Sequence, residues 1–444
     1  YDNYWMPFSD NVNFRKDPRI FVKAEGVHYF LEDGTPILDG MSGLWCVNVG
    51  HGQKKIVDAI KTQVETLDFV PSFSTSHKLP YQFSQEILKL LPGRDFNDVF
   101  FTMCGSTAVD TALKIALQYH RANGEGSKVR FIGRERGYHG VGFGGISVGG
   151  IGTNRKAFGG NSLPFVDHIA HTHSIKDAAF SRGQPTWGAH LAEDLERVVA
   201  LHDASNIAAV IIEPVAGSTG VLPPPVGYLE RIREICTKHN ILLIFDEVIT
   251  GFGRLGDTFA TRKFDVTPDM ITCAKGLTNA AVPCGAVISQ GHVYDTIYNA
   301  AHKAAGAQIE FYHGYTYSGH PLAMAAGLAT LEVFKEQNVF ENAAKLSKYW
   351  ETKLHSLQGL PHVVDIRNMG LMGAVEVAPA DGPIPSARCK DVWDRCFAKG
   401  LHCRYANTSL TLSPPLVMKE EHIDQIVHII SESLKESAAH FKSA

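Results

Sequence analysis

Long apolar runs are missing from this chain. The longest, such as Ile207 to Ile212 and Ile241 to Phe245, fall far short of the ~20 residues that cross a bilayer. A strong charge of either sign is missing too. The 42 Lys and Arg against 46 Asp and Glu leave a net charge of -4, and such a balance offers no polybasic face to nucleic acid. Tyr1 to Asp10 hold no basic stretch followed by an apolar one. No secretory signal is therefore expected, although the chain does not open on Met and a short leader could have been trimmed. Eight cysteines stand at 46, 104, 236, 273, 284, 389, 396 and 403, with no CxxC pair among them. Cys104 and Cys273 lie in apolar runs, where buried free thiols are expected. A reducing, cytoplasmic compartment fits that usage. Repeats, low-complexity tracts and a GxSxG nucleophile motif are also missing.

What is present is the composition of a globular protein: 444 residues, 44% hydrophobic and 20% charged. At about 150 residues per unit the length suggests roughly three units. Short apolar runs at Val99–Met103, Lys128–Ile132, Ile207–Glu213, Ile241–Asp246, Met270–Ala274 and Cys284–Ser289 read as strands covered on both faces. Helical patterns at Ala108–Ala122, His190–His202 and Tyr228–His239 alternate with them. This predicts an α/β layer with a mostly parallel sheet over residues 51–320. Residues 321–444 read as a smaller α+β domain. It opens on helices at Leu322–Glu336 and Phe340–Leu357, followed by strands at Val363–Asn368 and Leu371–Val377. A helix at Arg388–Lys399, short strands at Leu401–Tyr405 and Ser409–Ser413, and a last helix complete it. Residues 1–50 carry a hairpin around Asp33-Gly34. They are grouped with the smaller domain, although such a hairpin packs with either.

Three strand ends could carry chemistry. The run ending in Asp246-Glu247 places carboxylates where open α/β sheets bind ligands. The run ending at Lys275 places an amine where desolvation makes it nucleophilic. The run ending in Gly105-Ser106-Thr107 leads into a helix whose N-terminus suits an anion, with Thr107 and Asp110 at capping-box spacing. Taken singly, each has a plainer reading: a turn carboxylate, a snorkelling lysine, a helix cap. Together they suit pyridoxal 5'-phosphate, with lysine for the Schiff base, acid for the ring nitrogen and cradle for the phosphate. Gly140 to Gly145 match GxGxxG, but without the flanking strand and helix a dinucleotide site is not expected. His168, His171 and His173 cluster in a loop without a set of cysteine or acidic partners and read as exposed polar side chains rather than a metal site.

The chain resembles the class III pyridoxal-phosphate aminotransferases of fold type I over essentially its whole length. The resemblance rests on Cys104–Lys114, Gly137-Tyr-His-Gly140, Ile212-Glu-Pro214, Phe245–Arg254, Ala274-Lys-Gly276 and His313–Pro321. Within the family it is most similar to the ω-amino acid:pyruvate branch. The resemblance implies roles by position. Lys275 bonds the cofactor and moves the substrate proton, Asp246 pairs with the ring nitrogen, and Tyr138 stacks on the ring with Val248 on its other face. Gly105 and Ser106 bind the phosphate, Glu213 lies beside the cofactor, and Thr316 reaches the phosphate of the neighbouring subunit. A homodimer with shared sites follows, with a tetramer as a further option. Leu44, Trp45, Phe8, Phe73, Val141 and Ala216 match an apolar substrate pocket, with Tyr138 also facing it. Arg404 matches the arginine that binds the keto-acid carboxylate. Where relatives that use 2-oxoglutarate carry a glutamate, this chain has Ser218, which points to pyruvate as acceptor. Tyr138 stands where the decarboxylase branch has tryptophan. The expected reaction moves the amino group of β-alanine or another ω-amine to pyruvate. A 4-aminobutyrate or taurine donor, or an aminomutase, is the alternative.

Overall fold

The computed structural model describes residues 2–303 and 309–442. Three short strands open the chain: β1 (Phe21–Glu25), β2 (His28–Leu31) and β3 (Pro36–Asp39). Seven strands follow: β4 (Phe96–Thr102), β5 (Arg130–Arg134), β6 (Val166–Ile169), β7 (Ile207–Ile212), β8 (Leu242–Asp246), β9 (Met270–Cys273) and β10 (Gly285–Gln290). They form one sheet in the order β4-β10-β9-β8-β7-β5-β6. All neighbours are parallel except β10, which runs antiparallel to both β4 and β9. Every residue of β7 and of β8 is buried, as two-sided cover by helices requires. β6 escaped the sequence reading because Asp167 and His168 interrupt its apolar pattern.

This topology decides where chemistry can sit. The ends of β4, β5, β7, β8 and β9 share one edge of the sheet, and because β10 runs the other way its start joins them. Met103, Glu213, Asp246 and Ala274-Lys275 therefore converge from segments up to 172 positions apart (103 to 275). The helix Gly105–Ala122 starts at the same edge and buries Ala108, Ala112 and Ala116 against the sheet.

The C-terminal part builds an antiparallel sheet from β11 (Val363–Met369), β12 (Met372–Val377), β14 (Arg404–Ala406) and β15 (Ser409–Leu412), in the order β11-β12-β15-β14. The single strand expected at Leu401–Tyr405 is two. β13 (Leu401–His402) pairs in parallel with β3, whereas β14 turns to pair with β15. The break falls at Cys403, whose buried carbonyl accepts from Trp393 Nε1 at 2.8 Å instead of joining a ladder. The N-terminal strands thus form a sheet of order β1-β2-β3-β13 with the C-terminal part.

Arg254 fastens these regions together. It is fully buried and no carboxylate lies in bonding reach among the described residues. Its two terminal nitrogens donate to Pro414 O (2.6 Å), Leu371 O (3.4 Å), Ser42 Oγ (2.9 Å) and Asn48 Oδ1 (2.9 Å). Burial draws the guanidinium down to about 9, because four neutral acceptors solvate a charge less well than water does.

Candidate active site

A cavity of about 350 Å³ opens at the shared strand edge. Its lining brings together eight residues singled out from the sequence: Leu44, Gly105, Ser106, Tyr138, Glu213, Asp246, Val248 and Lys275.

Asp246 is the last residue of β8, and the alternation of the strand turns Asp246 and Glu247 to opposite sides. Asp246 faces the cavity. Its Oδ2 lies 2.8 Å from His139 Nδ1, and its Oδ1 accepts from Val248 N at 3.1 Å. Glu247 points away and accepts from Ala260 N (2.6 Å), Thr261 N (2.9 Å), Thr261 Oγ1 (2.8 Å) and Thr250 Oγ1 (3.0 Å). Burial nonetheless lifts Glu247 to about 7. Only the first acid of the pair is available to a ligand.

Lys275 follows β9 and holds φ at 49°, a left-handed conformation that a side chain adopts only under constraint. Its carbonyl accepts from Ala280 N at 3.2 Å, which closes the segment into a tight loop. Burial draws its amine below the ordinary lysine value. The neighbouring charge of Arg404 adds to that, while Asp246 works against it. A lysine in this state is closer to a free, nucleophilic amine.

The cradle differs in detail from the sequence expectation. The cap of the helix Gly105–Ala122 is Cys104, not Thr107. Thr107 Oγ1 accepts from Cys104 N at 3.0 Å and from Met103 N at 3.2 Å. Asp110 takes no part in the cap and instead accepts from Gly145 N at 3.2 Å. Cys104 is exposed at the cavity rather than buried, because the strand has already ended there. Ser106 Oγ accepts from Val141 N at 3.1 Å. A Cβ on Gly140 would stand 2.4 Å from that Oγ, so the approach of these two segments requires glycine, here at φ +91°. The glycines of the GxGxxG match thus press against the start of this helix, and Gly142 and Gly144 border Asp110.

Glu213, just past β7, is buried and holds two backbone N–H groups, Tyr138 N at 2.9 Å and Gly217 N at 3.0 Å. Burial raises its carboxyl. Residues that the sequence reading gave no role also line the cavity, notably Cys46, His139, Ile249 and Thr278. His139 sat inside a quoted motif, and its neighbour Tyr138 was the only signal for it.

Other expected residues lie elsewhere. Trp45 is only 2% exposed and packs in the core with Met41, Val215 and Ile249 rather than lining the cavity. The left-handed φ of 64° at Trp45 follows an irregular Gly43-Leu44 and turns it inward, leaving Leu44 at the opening. Ala216 is buried in a bridge with Leu222. Phe8 and Phe73 are 74% and 58% exposed, and Thr316 and Val141 are exposed as well. Arg404 is partly buried on β14. It lies close enough to Tyr138 and Lys275 for its charge to act on both, and no carboxylate pairs with it among the described residues.

The three histidines are not plain exposed polar side chains. His168 Nε2 meets Gly149 O at 2.8 Å. His173 Nε2 lies 3.3 Å from Glu376 Oε2. The acids near His173 come from β11 and β12, about 200 residues along the chain. His173, Asp365 and Glu376 stand close enough to share an ion, but Arg367 Nη1 already bonds both carboxylates.

The cavity donor set suits a flat heteroaromatic aldehyde with a phosphate tail. It offers an amine of lowered basicity for the aldehyde and a carboxylate, itself fixed by His139, for a ring nitrogen. Gly105 and Ser106, at the start of an 18-residue helix, line the same cavity, where a helix N-terminus suits a phosphate.

The comparisons with known proteins agree with this geometry. Residues 11–434 match the aminotransferase class-III family. The chain is 55% identical over 433 residues to an omega-aminotransferase of Caulobacter vibrioides, covering 98% of this chain and 97% of that one. It is 48% identical over 432 residues to a beta-alanine–pyruvate aminotransferase of Pseudomonas aeruginosa, covering 97% and 95%. The crystal structure of an omega transaminase from Pseudomonas jessenii in complex with PMP superposes with a TM-score of 0.92 at 29% identity, covering 99% and 97%. With the family match over residues 11–434 and its fold and nearly its full length in common with these proteins, the chain belongs to the class-III aminotransferase family.

Proposed function

We propose that the protein is an ω-amino acid:pyruvate aminotransferase that uses pyridoxal 5'-phosphate. It takes the amino group of β-alanine or a related ω-amine and gives L-alanine in a ping-pong reaction. The observation that carries this reading is the convergence of Lys275, Asp246 and the Gly105-Ser106 helix start in one cavity. Similarity to relatives named for ω-amino acids and pyruvate supports the substrate pair.

When bound, the cofactor supplies an electron sink for the carbon that carries the substrate amine. The protein's own groups do the rest. Lys275 Nζ would hold the cofactor through its aldehyde group and, as a free amine, would serve as the base that moves the proton of the substrate's amine-bearing carbon. Its lowered basicity leaves a larger free-amine fraction for that step. Asp246 holds a proton on the ring nitrogen, and His139 orients it. Tyr138 and Val248 would cover the two faces of the ring, Gly105 and Ser106 would hold the phosphate, and Glu213 fixes the backbone of Tyr138. Arg404, unpaired near Tyr138, receives the keto-acid carboxylate. With Ser218 in place of an acid, nothing on that segment competes for the guanidinium. Leu44 and Ile249 supply apolar wall. Thr316, Phe8 and Phe73, exposed on this chain, serve the site of a second subunit in a homodimer. No described helix is long and apolar enough to cross a membrane, and a cytoplasmic enzyme is the reading we adopt.

The test is a pair of half-reactions. β-Alanine added without keto acid should bleach the visible absorbance of bound pyridoxal. Pyruvate, and not 2-oxoglutarate, should restore it with one alanine formed per site. Restoration by 2-oxoglutarate alone would overturn the acceptor, and no bleaching by any ω-amine would overturn the donor class.

A further inference from the structure

Residues Ala216 to Leu222 form a small closed hairpin behind the cavity wall. Ala216 and Leu222 exchange both backbone bonds, Ala216 N to Leu222 O at 3.2 Å and Leu222 N to Ala216 O at 2.8 Å. The turn between them is strained. Gly220 holds φ at +117° and Val221 at +54°, and a β-branched residue stays in the left-handed region only where its surroundings hold it there.

Arg367, on β11 of the C-terminal sheet, supplies that hold. Its Nε donates to Gly220 O and Val221 O, both at 3.1 Å, and its Nη2 donates to Gly220 O at 2.8 Å. Nη2 also meets Ser409 Oγ at 3.1 Å. Nη1 bonds Asp365 and Glu376, which balance the charge of a guanidinium only 4% exposed. The fork therefore spends one nitrogen on ion pairing and two on the carbonyls of the turn, a division that a lysine cannot reproduce.

The other side of the hairpin touches the site. Gly217 N donates to the Glu213 carboxylate that also holds Tyr138 N. Ile249 Cδ1 packs against Gly217 so closely that a Cβ there would stand 2.7 Å away. Thr219 is locked to Arg136, two residues before Tyr138, by Arg136 Nη2 to Thr219 O and Thr219 Oγ1 to Arg136 O, both 2.9 Å. Tyr138 and Ile249 are walls of the cavity.

We propose that Arg367 is a positioning residue for the active site: through the Ala216–Leu222 hairpin it sets where Tyr138 and Ile249 stand against cofactor and substrate. The inference rests on the reading of the cavity as the pyridoxal-phosphate site, and it assigns a working role to a residue that touches neither cofactor nor substrate.

The test compares the holoenzyme with Arg367→Lys, which keeps the positive charge between Asp365 and Glu376 but loses the fork. Gly220→Ala disturbs the same turn without altering any charge, since its Cβ would meet Ser409 Oγ at 3.0 Å and Arg367 Nη2 at 3.1 Å. Two readouts apply: the circular dichroism of the bound pyridoxal band, and kcat/KM for β-alanine and pyruvate per mole of bound cofactor. A misplacement of 1 Å near reacting groups can cost ~100-fold, so a ~10-fold to 100-fold loss with an altered dichroic band at full cofactor occupancy is expected in both variants. If Arg367→Lys does not fold, Gly220→Ala decides. Lowered melting temperature with an unchanged band and unchanged kcat/KM would overturn the proposal and leave Arg367 a purely structural residue. If the parent enzyme turns over neither substrate, the donor and acceptor assignment fails. The dichroic band then still judges the hairpin.

Discussion

His139 Nδ1 and Asp246 Oδ2 lie 2.8 Å apart, both buried, at the base of the cavity. An ionised carboxylate can only accept, so the imidazole donates. Oδ2 of Asp246 is tied to His139 and Oδ1 to Val248 N, and the remaining acceptor capacity of the two oxygens is turned to the cavity. A hydrogen bond to a charged group contributes roughly 1.5–3 kcal/mol. Replacing His139 by Leu should therefore slow the half-reaction with an ω-amine by about 10-fold to 100-fold. His139→Asn, which keeps a donor near Nδ1, should recover part of that. Single-turnover bleaching rates would separate the two.

Lys275→Ala should abolish turnover and shift the visible spectrum of added pyridoxal phosphate towards that of the free aldehyde, while far-UV dichroism stays unchanged. The amine of Lys275 is drawn below its ordinary value by burial. The basic limb of the pH–rate profile should accordingly rise at lower pH than a solvent-exposed lysine would give. A limb at the ordinary lysine value would contradict this.

Gly140→Ala tests the cradle. The added Cβ would sit 2.4 Å from Ser106 Oγ, and the φ of +91° disfavours any side chain. Strain of order 1–3 kcal/mol should weaken pyridoxal-phosphate affinity by roughly tenfold or more, read by dialysis and reconstitution. Gly159→Ala, where a Cβ meets nothing within 4 Å, is the matched control and should bind normally.

Acid stability should depend on Glu376. Burial pushes its carboxyl up, but the His173 ring 3.3 Å away and the Arg367 guanidinium outweigh that and bring it down to about 2. A depressed carboxyl stabilises the fold above its unfolded value of about 4.5, and the contribution fades as pH falls from there towards about 2. The linkage is worth about 3 kcal/mol at 1.36 kcal/mol per unit. Urea midpoints for the parent should drop steeply over that window, and Glu376→Gln should flatten the drop while starting from lower stability at neutral pH.

How far the sequence could be read depended on whether a signal was local. β7, β8 and β9 announce themselves as apolar runs, and Asp246 and Lys275 stand out because charge closes the second and follows the third abruptly. The strand at Leu401–Tyr405 looked continuous because composition cannot register a change of partner at Cys403. The acids beside His173 were invisible for the same reason: they arrive on β11 and β12 from the far end of the chain. The resemblance assigns both Leu44 and Trp45 to the pocket, yet one irregular glycine step turns these adjacent residues in opposite directions. Arg404 is marked by its match to the family's carboxylate-binding arginine, but its closeness to Tyr138 and Lys275 is a matter of the fold and not of sequence spacing.

Arg254 bears on the order in which the protein is made. Its guanidinium needs Ser42 and Asn48 from the start of the chain and Pro414 from close to its end. Ser42 in turn donates to Ser413 O, and Leu38 pairs with Leu401. During synthesis the large sheet can collapse as its strands emerge, since domains fold as they leave the ribosome. The segment carrying Leu44 and Cys46 can already dock on the large sheet through Trp45 and through the bond from Asn48 to Phe252 O, but Arg254 lacks one of its acceptors until Pro414 arrives. A nascent chain stalled before Pro414 would bury the Arg254 charge with one acceptor short, so the seam between the large sheet and the N-terminal segment closes only when the C-terminal part arrives.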